Sequence, residues 1–338
     1  MKKIDLEAHF YTQEYLDALR ANKGYPRLVE GNADQGRRLW YAPEVGQPFA
    51  DVLLNALIDF GGERIEKMDA LGVGVQALSL SAPGLEQLDP AVGTELARNA
   101  NDFLAGVIKE YPGRYLGYAA LAPKDPEAAA DELERAVTEL GFIGWNTHSN
   151  YGDSYLDEER YWPVLERAAK LNVPVYLHPT VPAIPQARTY GFAIAGAPFG
   201  FGMETAMCMM RIIYSGVFDR YPGLTIILGH LGETLPFLMS RIDWAYVRPF
   251  DPAARPKLER KPSEYLRDNV YLTTSGNYYE PAFRCTVEAM GMDRILLGTD
   301  YPYEDMAESM HFVDQLPIPD KDKEKIYFRN AGQIGIQG

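Results

Sequence analysis

Four motifs combine residue types that bind metals or move protons. Glu7 and His9 lie two residues apart near the start of the chain, and His178 and His230 each end an apolar run. Asp300 ends another, LLGTD. Carboxylate oxygen and imidazole nitrogen together suit Zn²⁺, Mn²⁺ or Mg²⁺ better than a soft metal. These residues therefore indicate a divalent metal site, provided that the fold brings them together.

The same residues lie at the ends of predicted β-strands. Short apolar runs alternate with longer segments of helical periodicity, which is typical of a parallel sheet covered by helices. The predicted strands are residues 3–9, 75–80, 114–121, 142–147, 173–178, 224–230, 269–275 and 294–300. Eight strands favour a closed (β/α)8 TIM barrel of the α/β class, with an open doubly wound sheet as the alternative.

A barrel would place the candidate residues on one surface. The carboxyl ends of barrel strands converge on one face, where barrel enzymes keep their active sites. The side-chain period of two on a strand also places Glu7 and His9 on the same side. A set of Glu7, His9, His178 and Asp300 would leave open coordination positions for a substrate, as catalytic metal sites require.

Three further residues are candidates for the chemistry around such a metal. His230 would be available for proton transfer or for stabilising charge, and Glu233 could hold its ring in one tautomer. Arg241 lies at the end of a helical pattern, where it could anchor an anionic substrate through paired hydrogen bonds. A surface ion pair is the alternative role for Arg241.

Each candidate also has an ordinary structural interpretation. Asp5, Glu7 and His9 alternate with apolar residues as on a half-exposed strand. His178 precedes a proline, and Asp300 fits a cap or a turn. The coincidence favours function, because three of the five histidines in the chain end predicted strands.

Two segments are longer than a minimal barrel needs. Residues 20–60 follow the first predicted strand, and residues 179–202 follow the fifth. Loops of this length are typical of lids or binding loops, and both would lie over the carboxyl face. No repeat, low-complexity tract or linker divides the sequence, so residues 1–338 are expected to form a single domain.

Charge and hydropathy limit the partners. The formal net charge of −14 disfavours nucleic acid or an anionic membrane as the main partner. The first residues form no apolar leader, and no run approaches the roughly 18 apolar residues of a membrane span. A cytoplasmic location is the resulting expectation.

The motifs LEAHF, VYLHP, GHLGE, TTSGN and GTDYPYED resemble those of the amidohydrolase superfamily in type and order. More closely, they resemble the metal-dependent aromatic acid decarboxylases, the γ-resorcylate and 2,3-dihydroxybenzoate decarboxylase group. Most of the superfamily begins with His-x-His, whereas Glu7-x-His9 matches the decarboxylase branch. The resemblance extends from residue 4 to about residue 330. It assigns metal ligands to Glu7, His9, His178 and Asp300, catalytic roles to His230, Glu233 and Asp300, and substrate binding to Arg241.

The resemblance also implies an activity. It implies a carboxy-lyase that releases CO₂ and a phenol from an ortho-hydroxybenzoate-type acid, a small aromatic substrate. The expected cofactor is one divalent metal ion, Zn²⁺ or Mn²⁺ with Mg²⁺ possible, and no organic cofactor; the expected assembly is a homodimer or homotetramer. The alternatives are a metal-dependent hydrolase of a lactone or amide on the same barrel and a binding protein without catalysis.

Overall fold

The computed structural model describes residues 3–31, 36–48, 51–248 and 256–338. Eight parallel strands form the main sheet in chain order, and three short antiparallel strands form a second sheet. In chain order the strands are β1 Lys3–Phe10, β2 Arg27–Val29, β3 Arg38–Ala42, β4 Val45–Gly46, β5 Val73–Leu80, β6 Tyr115–Ala120, β7 Gly144–His148, β8 Val175–His178, β9 Ile226–Leu228, β10 Val270–Thr273 and β11 Ile295–Leu296. Strands β2, β3 and β4 form the small sheet.

The main sheet closes between β1 and the segment that follows β11. Leu6 N donates a hydrogen bond to Leu297 O at 2.9 Å, and Asp300 N donates to Glu7 O at 2.8 Å. The predicted (β/α)8 barrel is therefore confirmed. Closure places Glu7 next to Asp300, although almost the whole chain separates them in sequence.

Helices cover the outside of the barrel. Among the described residues, none of them is long and apolar enough to cross a membrane. The α-helices are α1 Gln13–Ala21, α2 Asp51–Leu57, α3 Glu63–Leu71, α4 Pro90–Glu110, α5 Pro126–Thr138, α6 Trp162–Leu171, α7 Phe192–Ala195, α8 Gly200–Ser215, α9 Val217–Arg220, α10 Leu235–Val247, α11 Pro262–Asn269, α12 Glu280–Met290, α13 Met306–Gln315, α14 Asp320–Glu324 and α15 Asn330–Gln333.

All eight predicted barrel strands exist, but the later ones are shorter than predicted. The sixth, predicted as 224–230, is Ile226–Leu228, and the eighth, predicted as 294–300, is Ile295–Leu296. His230 and Asp300 consequently lie on turns just beyond the strands. Turns can adopt backbone angles that a regular strand excludes, and both residues use this freedom.

The hydrophobic core has two parts. The larger part lies between the strands and the surrounding helices. The smaller part fills the barrel interior with side chains that include Leu6, Tyr118, Tyr176 and Ile227, and Ile336 packs with them. Because strands from both ends of the chain share this interior, we propose that residues 1–338 form one domain.

The two long insertions have structure of their own. The 20–60 segment contains the small sheet of β2, β3 and β4 and the helix α2. The 179–202 segment contains a short 3₁₀ turn, Pro185–Arg188, and helix α7 before α8 begins. The sequence predicted both segments only as loops, because their short elements carry little periodicity.

Candidate metal centre

Four side chains converge at the carboxyl end of the barrel. Glu7, His9, His178 and Asp300 each offer one ligand atom, and these atoms all lie within 4.8 Å of one another. All four side chains are buried, with exposed fractions between 1% and 7%. The interpretation of β1 as a half-exposed strand is therefore wrong, since Glu7 and His9 are each only 1% exposed.

The arrangement fits a divalent cation. Glu7 Oε1 and His178 Nε2 are buried and have no hydrogen-bond partner among the described residues. Unpartnered buried polar atoms are costly, so a ligand that satisfies them is expected. Two carboxylates and two imidazoles form a donor set typical of Zn²⁺ or Mn²⁺ sites.

The imidazole rings are oriented by their second nitrogen atoms. His178 Nδ1 lies 2.9 Å from the carbonyl oxygen of Pro179, so Nδ1 carries the proton and Nε2 keeps its lone pair. His9 Nδ1 lies 2.9 Å from Ser79 Oγ, and Nε2 faces Asp300 Oδ1 at 2.8 Å. Burial and the neighbouring His178 lower the pKa of His9, which favours the neutral form that binds metals.

The carboxylates are held just as closely. Glu7 Oε2 accepts a hydrogen bond from Thr273 Oγ1 at 2.7 Å. Gly298 is needed beside it, because a Cβ at that position would lie 2.9 Å from Glu7 Oε2. Burial alone would raise the pKa of Asp300, but contacts with three imidazoles hold it well below its usual range. Asp300 is therefore available as an anionic ligand, and the hydrogen bond from Thr273 fixes the orientation of the Glu7 carboxylate.

His230 lies on a strained turn beside this set. His230, Leu231, Glu233 and Thr234 have φ angles of 55°, 57°, 52° and 72°, in the left-handed region that side chains other than glycine rarely adopt. Such strain persists only where the surrounding structure enforces it, and it concentrates at functional sites. The turn directs His230 Nε2 to 3.7 Å from Asp300 Oδ2.

Glu233 completes a charged pair with His230. Its Oε1 atom lies 2.7 Å from His230 Nδ1, and the carboxylate is buried. Burial alone would lower the pKa of His230, but Glu233, Asp300 and Glu7 raise it well above its usual value. This geometry favours an imidazolium whose proton faces the four-residue set, as a proton donor or an anion-stabilising group requires.

A cavity of about 710 Å³ opens above these residues. His178, His230, Glu233 and Asp300 line it, and both insertions supply parts of its wall. The first insertion contributes Tyr41, Gln47 and Pro48, and the second contributes Pro179, Phe192, Ala197, Pro198, Phe199, Phe201 and Gly202. These described parts of the two insertions therefore lie beside the four converging side chains.

The profile of the amidohydrolase family matches residues 4–334 of this sequence. The chain belongs to the amidohydrolase family. The resemblance that the motifs indicated is thereby confirmed, and the eight-stranded barrel agrees with it.

Individual amidohydrolase relatives are similar over nearly the full length. A γ-resorcylate decarboxylase from Polaromonas sp. is 39% identical, and the match covers 98% of both chains. The structure of 5-carboxyvanillate decarboxylase from Sphingomonas paucimobilis is 35% identical with a TM-score of 0.89, over 98% of both chains. That of a dihydroxybenzoic acid decarboxylase from Polaromonas sp., with manganese and the inhibitor 2-nitroresorcinol, is 36% identical with a TM-score of 0.84, over 98% of this chain and 96% of that one.

One residue assigned from the superfamily resemblance lies elsewhere in this amidohydrolase chain. Arg241 is exposed on α10, where its guanidinium stacks 4.6 Å from the Trp244 ring, and it is not part of the cavity wall. Its role in substrate binding therefore stays a prediction.

A second histidine–carboxylate pair lies beside His178 of the four-residue set. His148 Nδ1 is 3.1 Å from Glu86 Oε2, and the His148 ring packs edge-on against His178 at 5.6 Å. The sequence showed His148 beyond a predicted strand but gave no sign of its partner, because Glu86 lies in a separate turn.

Asp5 is a supporting residue that sequence reasoning missed. Its carboxylate is fully buried and accepts hydrogen bonds from the backbone N–H groups of Glu7 and Thr299, at 3.2 and 2.9 Å. Thr299 Oγ1 and Gln76 Nε2 also donate to it, at 2.6 and 2.9 Å. Burial raises the pKa of Asp5 to about 6, against these hydrogen bonds. Asp5 thus ties the segment carrying Glu7 to the segment carrying Asp300.

We expect Asp5→Asn to weaken metal binding about 10- to 100-fold while the protein stays folded, because an amide cannot accept from all these donors. Competition between the protein and a fluorescent chelator for Mn²⁺ measures the dissociation constant. Asp17→Asn, on the exposed face of α1, is the matched control and should leave it unchanged. Unaltered Mn²⁺ affinity in folded Asp5→Asn would show that the hydrogen bonds of Asp5 do not position Glu7 and Asp300 for metal binding.

Glu204 anchors the second insertion from α8. It is 2% exposed, and its Oε1 atom accepts hydrogen bonds from Asn150 Nδ2, Tyr155 OH and Ala183 N at 2.9, 2.9 and 3.3 Å. Burial raises the pKa of Glu204, and the hydrogen bonds act in the opposite direction. The folded state therefore disfavours the ionised carboxylate relative to the unfolded chain.

Glu204→Gln should change how stability depends on pH. The glutamine keeps a carbonyl acceptor and removes the buried charge. Below the ordinary glutamate pKa of 4.5, the protonated Glu204 of the unchanged protein and the glutamine of the variant are both neutral. Neither protein then carries the cost of burying a charged carboxylate. As pH rises through the raised pKa of the folded state, the unchanged protein loses free energy of unfolding relative to the variant. Urea titrations at about pH 4 and about pH 8 measure the difference, with exposed Glu127→Gln as the control. If the difference in free energy of unfolding between the two proteins were the same at both pH values, burial of the Glu204 charge would not explain it.

Proposed function

We propose that this protein is a carboxy-lyase, a metal-dependent, non-oxidative decarboxylase of an ortho-hydroxybenzoate-type aromatic acid. One observation carries the proposal: a buried set of two carboxylates and two imidazoles meets a charged His230–Glu233 pair in one cavity, in a chain similar to decarboxylases over its full length. No feature of the site specifically favours a lactone or amide hydrolase, and the decarboxylase relatives disfavour that alternative.

Glu7, His9, His178 and Asp300 are the proposed metal ligands. The Polaromonas dihydroxybenzoic acid decarboxylase holds manganese, which supports Mn²⁺ here, with Zn²⁺ as the second candidate and Mg²⁺ as the third. Bound there, the cation would act as a Lewis acid toward the phenolic and carboxylate oxygens of the substrate. The reaction transfers no net electrons, so we propose no organic cofactor.

The chain's own residues are proposed to move the proton. Decarboxylation breaks the bond between the ring carbon and the carboxylate, and the electron pair left on the ring takes a proton. We propose that the imidazolium of His230, whose Nε2 lies 3.7 Å from Asp300 Oδ2, passes its proton to Asp300. Protonated Asp300 is then the proposed donor to that carbon, and solvent would restore the proton to His230.

His230 and Glu233 have a second proposed task. An imidazolium beside Glu7 and Asp300 stabilises the substrate carboxylate until CO₂ departs, and Glu233 keeps that ring charged and oriented. The walls contributed by both insertions exclude water from the ring during the step.

The assembly and location are also proposals. A homodimer or homotetramer is supported by exposed apolar side chains on α10, where Phe237, Trp244 and Val247 are 79%, 41% and 49% exposed. Arg241 lies on this same face, so its proposed contact with substrate depends on how copies pack. We propose a cytoplasmic location.

A metal-quantified activity screen tests the proposed function. Purified protein is stripped with a chelator, reloaded with Mn²⁺, Zn²⁺ or Mg²⁺, and incubated with a panel of ortho-hydroxybenzoates. The proposal predicts stoichiometric metal and phenol formation that the chelator abolishes and the metal restores. Bound metal without phenol from any acid would refute the decarboxylase and direct the search to lactones and amides.

A further inference from the structure

We infer that Arg64 is a positioning residue for the metal centre, and that its guanidinium holds the His9 end of β1 against the turn that carries Asp300. The inference deepens the proposed function, because it concerns the geometry of the same metal ligands. Arg64 contacts the backbone of His9 rather than its ring, and it is not part of the cavity wall. Any effect of Arg64 on the chemistry therefore acts through the ligands.

Arg64 carries a fully buried charge near the carboxyl end of β1. It is the second residue of α3, and its exposed fraction is 0%. Burial lowers the pKa of Arg64, but a guanidinium stays protonated in proteins. Among the described residues, its hydrogen bonds go to backbone carbonyls and to the amide oxygen of Gln76, and to no carboxylate. A buried cation without an anionic partner costs folding free energy, so its presence indicates a role other than stability.

The turn before α3 directs the side chain of Arg64. The carboxylate of Asp59 accepts hydrogen bonds from the backbone N–H groups of Gly61, Gly62 and Arg64, at 3.2, 2.8 and 2.9 Å. Its oxygens are thus used to shape the turn. Arg64 Nε donates instead to the carbonyl oxygen of Asp59, at 2.7 Å. Both the backbone of Arg64 and the inner edge of its guanidinium are therefore fixed by the same turn.

The far edge of the guanidinium reaches the strand that carries the metal ligands. Arg64 Nη2 donates to the carbonyl oxygens of His9 and Ala56, at 2.8 and 3.0 Å. One nitrogen atom therefore joins β1 to α2 of the first insertion. Nη1 lies 3.5 Å from Gln76 Oε1, and Gln76 Nε2 donates to Asp5. Because the His9 carbonyl belongs to a proposed ligand, a displaced guanidinium would shift the His9 ring as well.

The same guanidinium packs on the turn that carries Asp300. It lies 4.9 Å from the centroid of the Tyr301 ring, within the range of a cation–π contact. The His9 N–H group donates to the carbonyl oxygen of Tyr301 at 2.8 Å. Arg64 thus contacts both residues of a hydrogen bond that closes the barrel. It thereby fixes the separation on which the distance of 2.8 Å between His9 Nε2 and Asp300 Oδ1 depends.

Mn²⁺ binding without substrate tests the inference through Arg64→Met, which keeps a long side chain and removes the charge and the donors. We expect the dissociation constant, measured by chelator competition, to rise about 10- to 100-fold. The electron paramagnetic resonance spectrum of bound Mn²⁺ should change, because it reports the arrangement of the ligands. At saturating Mn²⁺, kcat should fall at least about tenfold with little change in KM, because the reacting groups are misplaced while substrate contacts remain.

A second variant and a control separate geometry from charge and from general stability. Arg64→Lys keeps the charge and loses the planar fork, so it should still raise the Mn²⁺ dissociation constant at least about fivefold. Arg114→Met is the matched control. Arg114 Nε also donates to a strand carbonyl, that of Gly74 at 3.2 Å, but at the amino end of β5. This variant should leave the dissociation constant and the spectrum unchanged.

The outcomes separate this inference from the proposed function. Weaker Mn²⁺ binding with a changed spectrum in folded Arg64→Met supports it. Unchanged Mn²⁺ affinity and spectrum would overturn it even if thermal stability fell, because Arg64 would then serve only the fold. If Arg64→Met does not fold, Arg64→Lys decides by the same two measurements. Absence of phenol from every acid would refute the decarboxylase, whereas Mn²⁺ binding would still decide the role of Arg64.

Discussion

Glu7→Ala is expected to remove both bound metal and activity. The substitution deletes one of four donors and leaves the two imidazoles and Asp300 without the carboxylate that completes the set. We expect metal affinity to fall by more than about 100-fold, and kcat/KM by about 1000-fold or more, because the proposed Lewis acid is lost. Metal content by mass spectrometry and phenol formation measure the two effects on one sample.

The matched control is Glu14→Ala, which removes an exposed carboxylate from α1. It should keep full metal content and activity. Circular dichroism and thermal unfolding establish that Glu7→Ala is folded. A folded Glu7→Ala protein with normal metal content would remove Glu7 from the ligand set.

His230→Asn is expected to separate metal binding from chemistry. His230 lies outside the four-donor set, so metal content should stay normal. We expect kcat to fall about 10²- to 10⁴-fold, the usual contribution of a positioned proton-transfer group, with a much smaller change in KM. Steady-state kinetics of the metal-loaded variant measure kcat and KM separately.

Exposed His311→Asn is the control for that substitution and should behave as the unchanged protein does. The kcat of Glu233→Gln should lie between that of His230→Asn and that of the unchanged protein. In this variant the His230 imidazole remains, but the carboxylate that raises its pKa is gone. Unchanged kcat in metal-loaded His230→Asn would leave the left-handed turn at residues 230–234 without a catalytic role.

Much of the barrel could be predicted from the sequence, because parallel strands buried on both faces are near-continuous apolar runs. The runs at 75–80 and 173–178 match β5 and β8 within two residues at each end. The same reasoning assigned His178 to a strand end correctly, since the last residue of β8 follows an unbroken apolar sequence.

Prediction was less accurate where the backbone leaves the strands. Nothing in the residue types of GHLGE or GTDYP encodes the left-handed angles of His230 and Asp300, which tertiary contacts impose. The sequence around Asp5 does not predict its burial, because alternating polar and apolar residues on a strand usually indicate one solvent-exposed face. Only barrel closure shows that Asp5 is buried and tied to Thr299.

The supporting contacts depend on long-range pairing. Thr273 reaches Glu7 across 266 positions, and Ser79 reaches His9 across 70. A single sequence carries no record of such pairs. The motif TTSGN resembles one of the amidohydrolase superfamily, and the hydrogen bond from Thr273 to Glu7 gives that motif a physical role.

The most direct test of the proposed decarboxylation is to follow what becomes of the substrate carboxylate. Mn²⁺-loaded protein is incubated in D₂O with an ortho-hydroxybenzoate that the screen selects, and the products are followed by gas analysis and NMR. We predict one CO₂ per phenol, with a single deuterium at the carbon that lost the carboxylate, and loss of both products with a chelator. Addition of water to a substrate with no CO₂ released would contradict the account and identify a hydrolase.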